Sequence, residues 1–154
     1  MMRTITLVAL LLGAAPSSAT LATKPVLSLA AARQVVAAAA AEAERRHSTV
    51  VIVVVDDGGY PIVLERLDDT QVASVEVGIG KARTAAIFRR PSRDFEEQIR
   101  NGRAASLVLP GATPLQGGLP LLAGGRVVGA IGVSGNTPQE DEEIARADVA
   151  AFVP

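Results

Sequence analysis

Val50 to Val55 is an unbroken run of six β-branched residues, and such a run predicts a buried strand. Asp56-Asp57-Gly58-Gly59 interrupts it with turn-forming residues, and Tyr60 to Arg66 then alternates. The two segments read as a β-hairpin. A second hairpin is predicted further on, with Leu119 to Ala123 and Arg126 to Ser134 folded around Gly124-Gly125. Between the hairpins the period changes. Val72, Val75, Ile79, Ala82 and Ala86 recur at helical spacing, which predicts a helix over Asp69 to Phe88, stopped by Pro91. Ser92 is placed to cap a short helix through Arg100, and the apolar segment Ser106 to Leu109 is read as a further short strand.

Two more helices flank these segments. Ser28 is a good N-cap for Leu29 to Arg46, a stretch with nine alanines and therefore very high helix propensity. Thr137 and Glu140 form a capping-box pattern, with Pro138 at the first helical position of a C-terminal helix that carries Ile144, Ala147 and Ala151. The resulting order is α-β-β-α-(α)-β-β-β-α. Hairpins joined by helices predict an α+β domain with an antiparallel sheet.

Composition narrows the class. The 154 residues argue for one domain, and 49% hydrophobic with 20% charged residues can build a core. Aromatics make up 3%, so that core is aliphatic. The net charge is −1 and no basic patch is interleaved with aromatics, which argues against a nucleic-acid partner. Residues 1–19 read as a secretory signal peptide. Arg3 precedes the apolar run Ile5 to Ala15, Pro16 ends it, and Ser17-Ser18-Ala19 supplies a small-residue cleavage site. The run is too short to span a bilayer. The expected mature chain is residues 20–154, periplasmic or secreted and without a membrane span. There is no cysteine, and both methionines lie in the signal segment, so the mature chain has one His, His47, as a nitrogen ligand.

Four features could carry chemistry. Asp56 and Asp57 are either a carboxylate pair for acid–base work or ordinary turn residues. Ser74, Gly78, Lys81 and Ala85 share a helical stripe. Lys81 is then a partner for an anion or a desolvated base, or else the stripe is a seam for another helix or subunit with Lys81 reaching outward. His47 is a metal ligand or a surface residue at a helix end. Ser134, Gly135 and Asn136 join a strand carrying Gly129 and Gly132 to a helix N-terminus, which offers either a ligand rim or a tight connection. No Gly-Lys-Ser/Thr occurs, so the junction is not a P-loop.

Three segments, "VVVDDGGYPIVLERLDD", "GKARTAAIFRRPS" and "GGLPLLAGGRVVGAIGVSGNTPQEDEEIARA", resemble the GlcG/HbpS-like family in order and spacing. That family includes secreted haem-binding proteins and the C-terminal domain of some corrinoid adenosyltransferases. The resemblance implies a profilin- or PAS-like fold with a five-stranded antiparallel sheet flanked by helices, and a homo-oligomer. Haem or another small ligand is implied, in a region including Tyr60, Lys81, Arg83 and the stretch Gly132, Ser134, Gly135 and Asn136. Family members often have His where this chain has Tyr60, so a haem iron would be held by Tyr60 or His47, or by a neighbouring subunit. Three functions follow as alternatives: an exported oligomeric small-molecule-binding protein with haem as its ligand; an enzyme on a small organic acid or carbonyl compound, with Lys81 and Arg83 on the anion and Asp56 or Asp57 moving a proton; and an accessory subunit without a ligand.

Overall fold

The computed structural model describes residues 20–149. Residues 1–19, expected to be a signal segment, and Ala151 therefore lie outside the described residues. Four strands form one antiparallel sheet. Val51–Asp56 (β1) and Pro61–Arg66 (β2) make the first hairpin, Gly118–Ala123 (β3) and Arg126–Ser134 (β4) the second, and the order across the sheet is β2-β1-β4-β3. β1 and β4 are thus central. They pair from Val51 opposite Ser134 to Asp56 opposite Gly129.

The six-residue apolar run is explained by helices on both faces. Val50, Ile52 and Val54 join a core with Leu29–Arg45 (α1) and Pro138–Val149 (α4). Val51, Val53 and Val55 point the other way, against Ala82, Ala85 and Ala86 of Ser74–Phe88 (α2). A period-2 strand covered on both sides has no reason to alternate. β2, at the sheet edge, is much more exposed.

Both terminal helices start as their sequences predict. Ser28 Oγ accepts from Ala31 N at 3.1 Å. Thr137 Oγ1 accepts from Glu140 N at 3.3 Å, and Thr137 N donates back to Glu140 Oε2 at 3.2 Å, closing the capping box. Among the described residues no helix is long and apolar enough to cross a membrane.

Three sequence expectations are corrected. The sheet has four strands, not five: Ala104–Val108 is a short 3-10 turn. Ser106 Oγ donates to Gln98 Oε1 at 2.8 Å, tying the turn to Arg93–Arg100 (α3), and Leu107 and Val108 face solvent. A four-residue apolar run cannot by itself distinguish a strand from a helical turn. The helix expected from Asp69 starts at Ser74, because Asp69 has φ +61 and breaks any helix there. Ser92 makes no capping bond. Its hydroxyl instead donates to Leu115 O at 2.6 Å and accepts from Gly118 N at 2.8 Å, anchoring the chain where β3 begins.

Candidate ligand-binding site

The sheet has two chemically different ends. At one end both hairpins turn and α2 finishes. At the other, β1 begins, β4 ends and α4 starts. The sequence-selected residues are divided between them.

At the turn end, Asp56 Oδ1 accepts from Gly58 N and Tyr60 N, both at 2.9 Å. Its carboxylate thus builds the turn that sets the direction of Tyr60. Asp57 is bound to Lys24 Nζ at 2.6 Å. Gly59 has φ +83, and a Cβ there would lie 2.8 Å from Arg83 Cγ and 3.2 Å from Ile87 Cγ2. Only glycine lets the turn lie on α2 this closely. Arg83 Nε donates to Gly59 O at 3.3 Å, and its guanidinium carbon stands 5.6 Å from the centre of the Tyr60 ring. That is a cation–π contact. Tyr60 remains 66% exposed, and Ile87, which stands with Arg83 against the neighbouring Gly59, is exposed as well. Ile87 Cδ1 reaches within 3.2 Å of the Cβ position at Gly111, just after the turn bearing exposed Leu107 and Val108. Tyr60, Arg83 and Ile87 therefore form one open face with a phenol, a cation and an apolar surface.

The opposite end is closed. Lys81 is 2% exposed, and its Nζ donates to Asp141 Oδ2 at 2.7 Å and Val133 O at 3.0 Å. Asp141 Oδ1 also accepts from Asn136 N at 3.0 Å. Burial raises the Asp141 carboxyl above its ordinary value, opposed by the charge of Lys81 and the hydrogen bonds it accepts. The pair links α2 to the start of α4 around the end of β4. A Cβ at Gly117 would lie 2.9 Å from Lys81 Nζ, so no room is left beside the ammonium. Lys81 does not reach into solvent.

The junction after β4 belongs to this closed end. Ser134 is buried, and a Cβ at Gly135 would lie 2.2 Å from Thr49 O. The amides of Asn136, Thr137, Glu140 and Asp141 all have partners within the junction and the capping box. Thr137 hydrogen bonds hold the exposed Glu140 carboxyl below its ordinary value. Gly132 lies under α2, where a Cβ would meet Gly78 O at 2.3 Å and Ala82 N at 2.5 Å. The stripe of Ser74, Gly78, Lys81 and Ala85 is buried within the subunit, so it is not a seam for a second one.

The structure thus brings Tyr60 and Arg83 together and separates them from Lys81 and the stretch Gly132, Ser134, Gly135 and Asn136. His47 lies just before β1 and Tyr60 just after it. A strand of six residues spans about 20 Å, so the two cannot ligate one iron within a subunit. Among the described residues there is no cluster of three or more His, Asp or Glu side chains fit to hold a metal ion. Ile87 was missed by the sequence reading. Its signal was weak: it falls off the buried stripe of its helix, four residues after Arg83 and so on the same helical face.

The family described as haem degrading protein HbpS-like matches residues 27–150, and the chain belongs to that family. Protein GlcG of Escherichia coli (strain K12) is 42% identical over 77 residues, which cover 50% of this chain and 58% of GlcG. The matched stretch thus spans little more than half of that relative's length. The crystal structure of a double mutant of Streptomyces reticuli HbpS superposes with a TM-score of 0.80 at 32% identity, covering 92% of this chain and 99% of HbpS. The crystal structure of a PduOC–haem complex superposes with a TM-score of 0.76 at 27% identity, covering 83% of this chain and 96% of PduOC.

Proposed function

We propose that this HbpS-like protein is an exported, oligomeric haem-binding protein whose ligand seat is the open face around Tyr60. The carrying observation is the grouping of Tyr60, Arg83 and Ile87 on one exposed surface at the turn end. A haem needs an axial donor, an apolar contact for its ring and a cation for its carboxylates. Tyr60 has the oxygen donor, Ile87 the apolar contact and Arg83 the charge. Family membership and the haem complex of PduOC support the same ligand. Export rests on the apolar run Ile5 to Ala15 and the small residues at 17–19.

Bound haem would supply a redox-active iron. The residues of this chain do the holding. Tyr60 would present its phenolate oxygen to the iron, a ligand that favours the ferric state. Arg83, whose guanidinium stands over the Tyr60 ring, would offer its charge to the haem carboxylates. Asp56 would keep Tyr60 in place through the two turn amides.

A haem titration of the purified protein, with native mass measured in parallel, tests the proposal. The wild type should give a Soret band and an oligomeric mass. Tyr60→Phe should lose the ligand-dependent spectrum, and His47→Ala should keep it. A wild type without any haem spectrum, or a Tyr60→Phe protein with an unchanged one, would overturn the assignment.

A further inference from the structure

A second feature of the turn end has no part in the Tyr60 face. Between the two hairpin turns lies a cleft of about 430 Å³, lined by Lys24, Asp57, Arg89, Leu122, Arg126 and Val127 among others. Leu122 and Val127 give it an apolar component. The charged side chains are three cations and one carboxylate. Lys24 and Asp57 neutralise each other at 2.6 Å. Arg89 and Arg126 have no ion-pair partner among the described residues. The cleft is therefore lined by two arginines that no carboxylate among the described residues neutralises.

Arg89 occupies its place against local preference. It ends α2 with φ +56 and ψ +38, the left-handed conformation that favours glycine at a helix C-terminus. The side chain, not the backbone, is what an arginine contributes there. Guanidinium groups are planar forks of N–H donors that match carboxylate and phosphate oxygens.

We propose that this cleft binds a compact dianion, a dicarboxylate or a phosphate, held by Arg89 and Arg126 with Leu122 and Val127 beside it. The site is separate from the Tyr60 face, since neither Tyr60 nor Arg83 lines the cleft.

Calorimetric titration at low ionic strength with succinate, inorganic phosphate and acetate tests it. At least one dianion should bind saturably to one site per subunit, and acetate at least tenfold more weakly. Tighter binding of succinate assigns a dicarboxylate, and of phosphate a phosphate compound. Arg89→Gly and Arg126→Gln should each weaken binding about tenfold or more, the loss expected for one charged hydrogen-bonding group. Arg89→Gly should melt no lower than the wild type, because glycine accepts the left-handed backbone freely. Both variants should titrate with haem like the wild type, which separates this site from Tyr60. Absence of saturable binding by succinate and phosphate alike would overturn the proposal. So would wild-type affinity in both variants. Should Arg89→Gly fail to fold, Arg126→Gln alone carries the same test.

Discussion

The two ends of the sheet use polar residues in opposite ways. At the closed end Lys81, Asp141 and Asn136 are matched to one another, and glycines at 117, 132 and 135 let backbones close over them. At the turn end Tyr60, Arg89 and Arg126 keep most of their donors in solvent. Hydrogen-bonding capacity that is used within the fold stabilises it. Capacity left open can recognise something else. The glycine-rich stretch that looks most like a ligand loop thus belongs to the packed end, and the ordinary-looking turns belong to the receptive one.

The largest effect should come from breaking the closed end. Asp141→Ala leaves the Lys81 ammonium buried without its counter-charge, which should destabilise by about 3–5 kcal/mol in chemical denaturation. The double variant Lys81→Met, Asp141→Leu should recover most of that loss, because a well-packed apolar pair removes both desolvation costs. A double variant as unstable as Asp141→Ala would show that the ammonium is not the source of the loss. A pH series sharpens the test. Burial raises the folded-state value of Asp141 above its ordinary 3.8, so the native state keeps this proton to higher pH than the unfolded chain does. The unfolded chain then binds fewer protons between the two values. The contribution of this group to stability therefore falls as pH rises from about 3.8 through the raised value, and is level above it. Asp141→Asn should abolish that component, and an unchanged pH profile would contradict it.

A smaller effect is expected at the cap next to this pair. Thr137→Ala removes the hydroxyl that holds Glu140 N and Glu140 Oε2, and should cost about 1 kcal/mol. Glu140 has a lowered value, so its share of the cap is present above its ordinary 4.5 and is lost as pH falls through the lowered one. Acid titration should narrow the gap between wild type and Thr137→Ala without closing it, because Thr137 Oγ1 still accepts from Glu140 N when the carboxyl is protonated. An unchanged gap would mean that the carboxylate has no share in the cap.

How far the sequence discloses this division differs between fold and site. Both hairpins, both caps and the terminal helices follow from local chemistry, because turn residues, β-branched runs and capping boxes act within a few positions. The 3-10 turn at Ala104–Val108 does not, since its path depends on the Ser106–Gln98 hydrogen bond to another helix. The site is less legible for a related reason. Lys81 sits in a stripe of small residues on either reading, and only the partner 60 positions away, Asp141, decides that it is buried. Arg83 and Tyr60 are 23 positions apart in the chain, and their contact depends on the hairpin lying back on α2 at Gly59. Helical periodicity predicts the face on which a residue stands. It does not predict which end of a sheet that face meets.

The smallest stability effect should come from the phenol at the open end. Tyr60 is 66% exposed, and its ring, not its hydroxyl, lies beneath the Arg83 guanidinium. Tyr60→Phe keeps that ring and the backbone turn held by Asp56. Its stability should therefore stay within about 0.5 kcal/mol of the wild type, as for surface substitutions that remove no buried contact. Tyr60→Ala also removes the cation–π contact and should cost up to about 1 kcal/mol more. Thermal melts of the two variants without haem measure both quantities. A large loss in Tyr60→Phe would mean that the hydroxyl has a structural partner, and the haem titration of that variant would then report on folding. A negligible loss isolates the oxygen as a ligand atom, so that any change in the haem spectrum belongs to coordination alone.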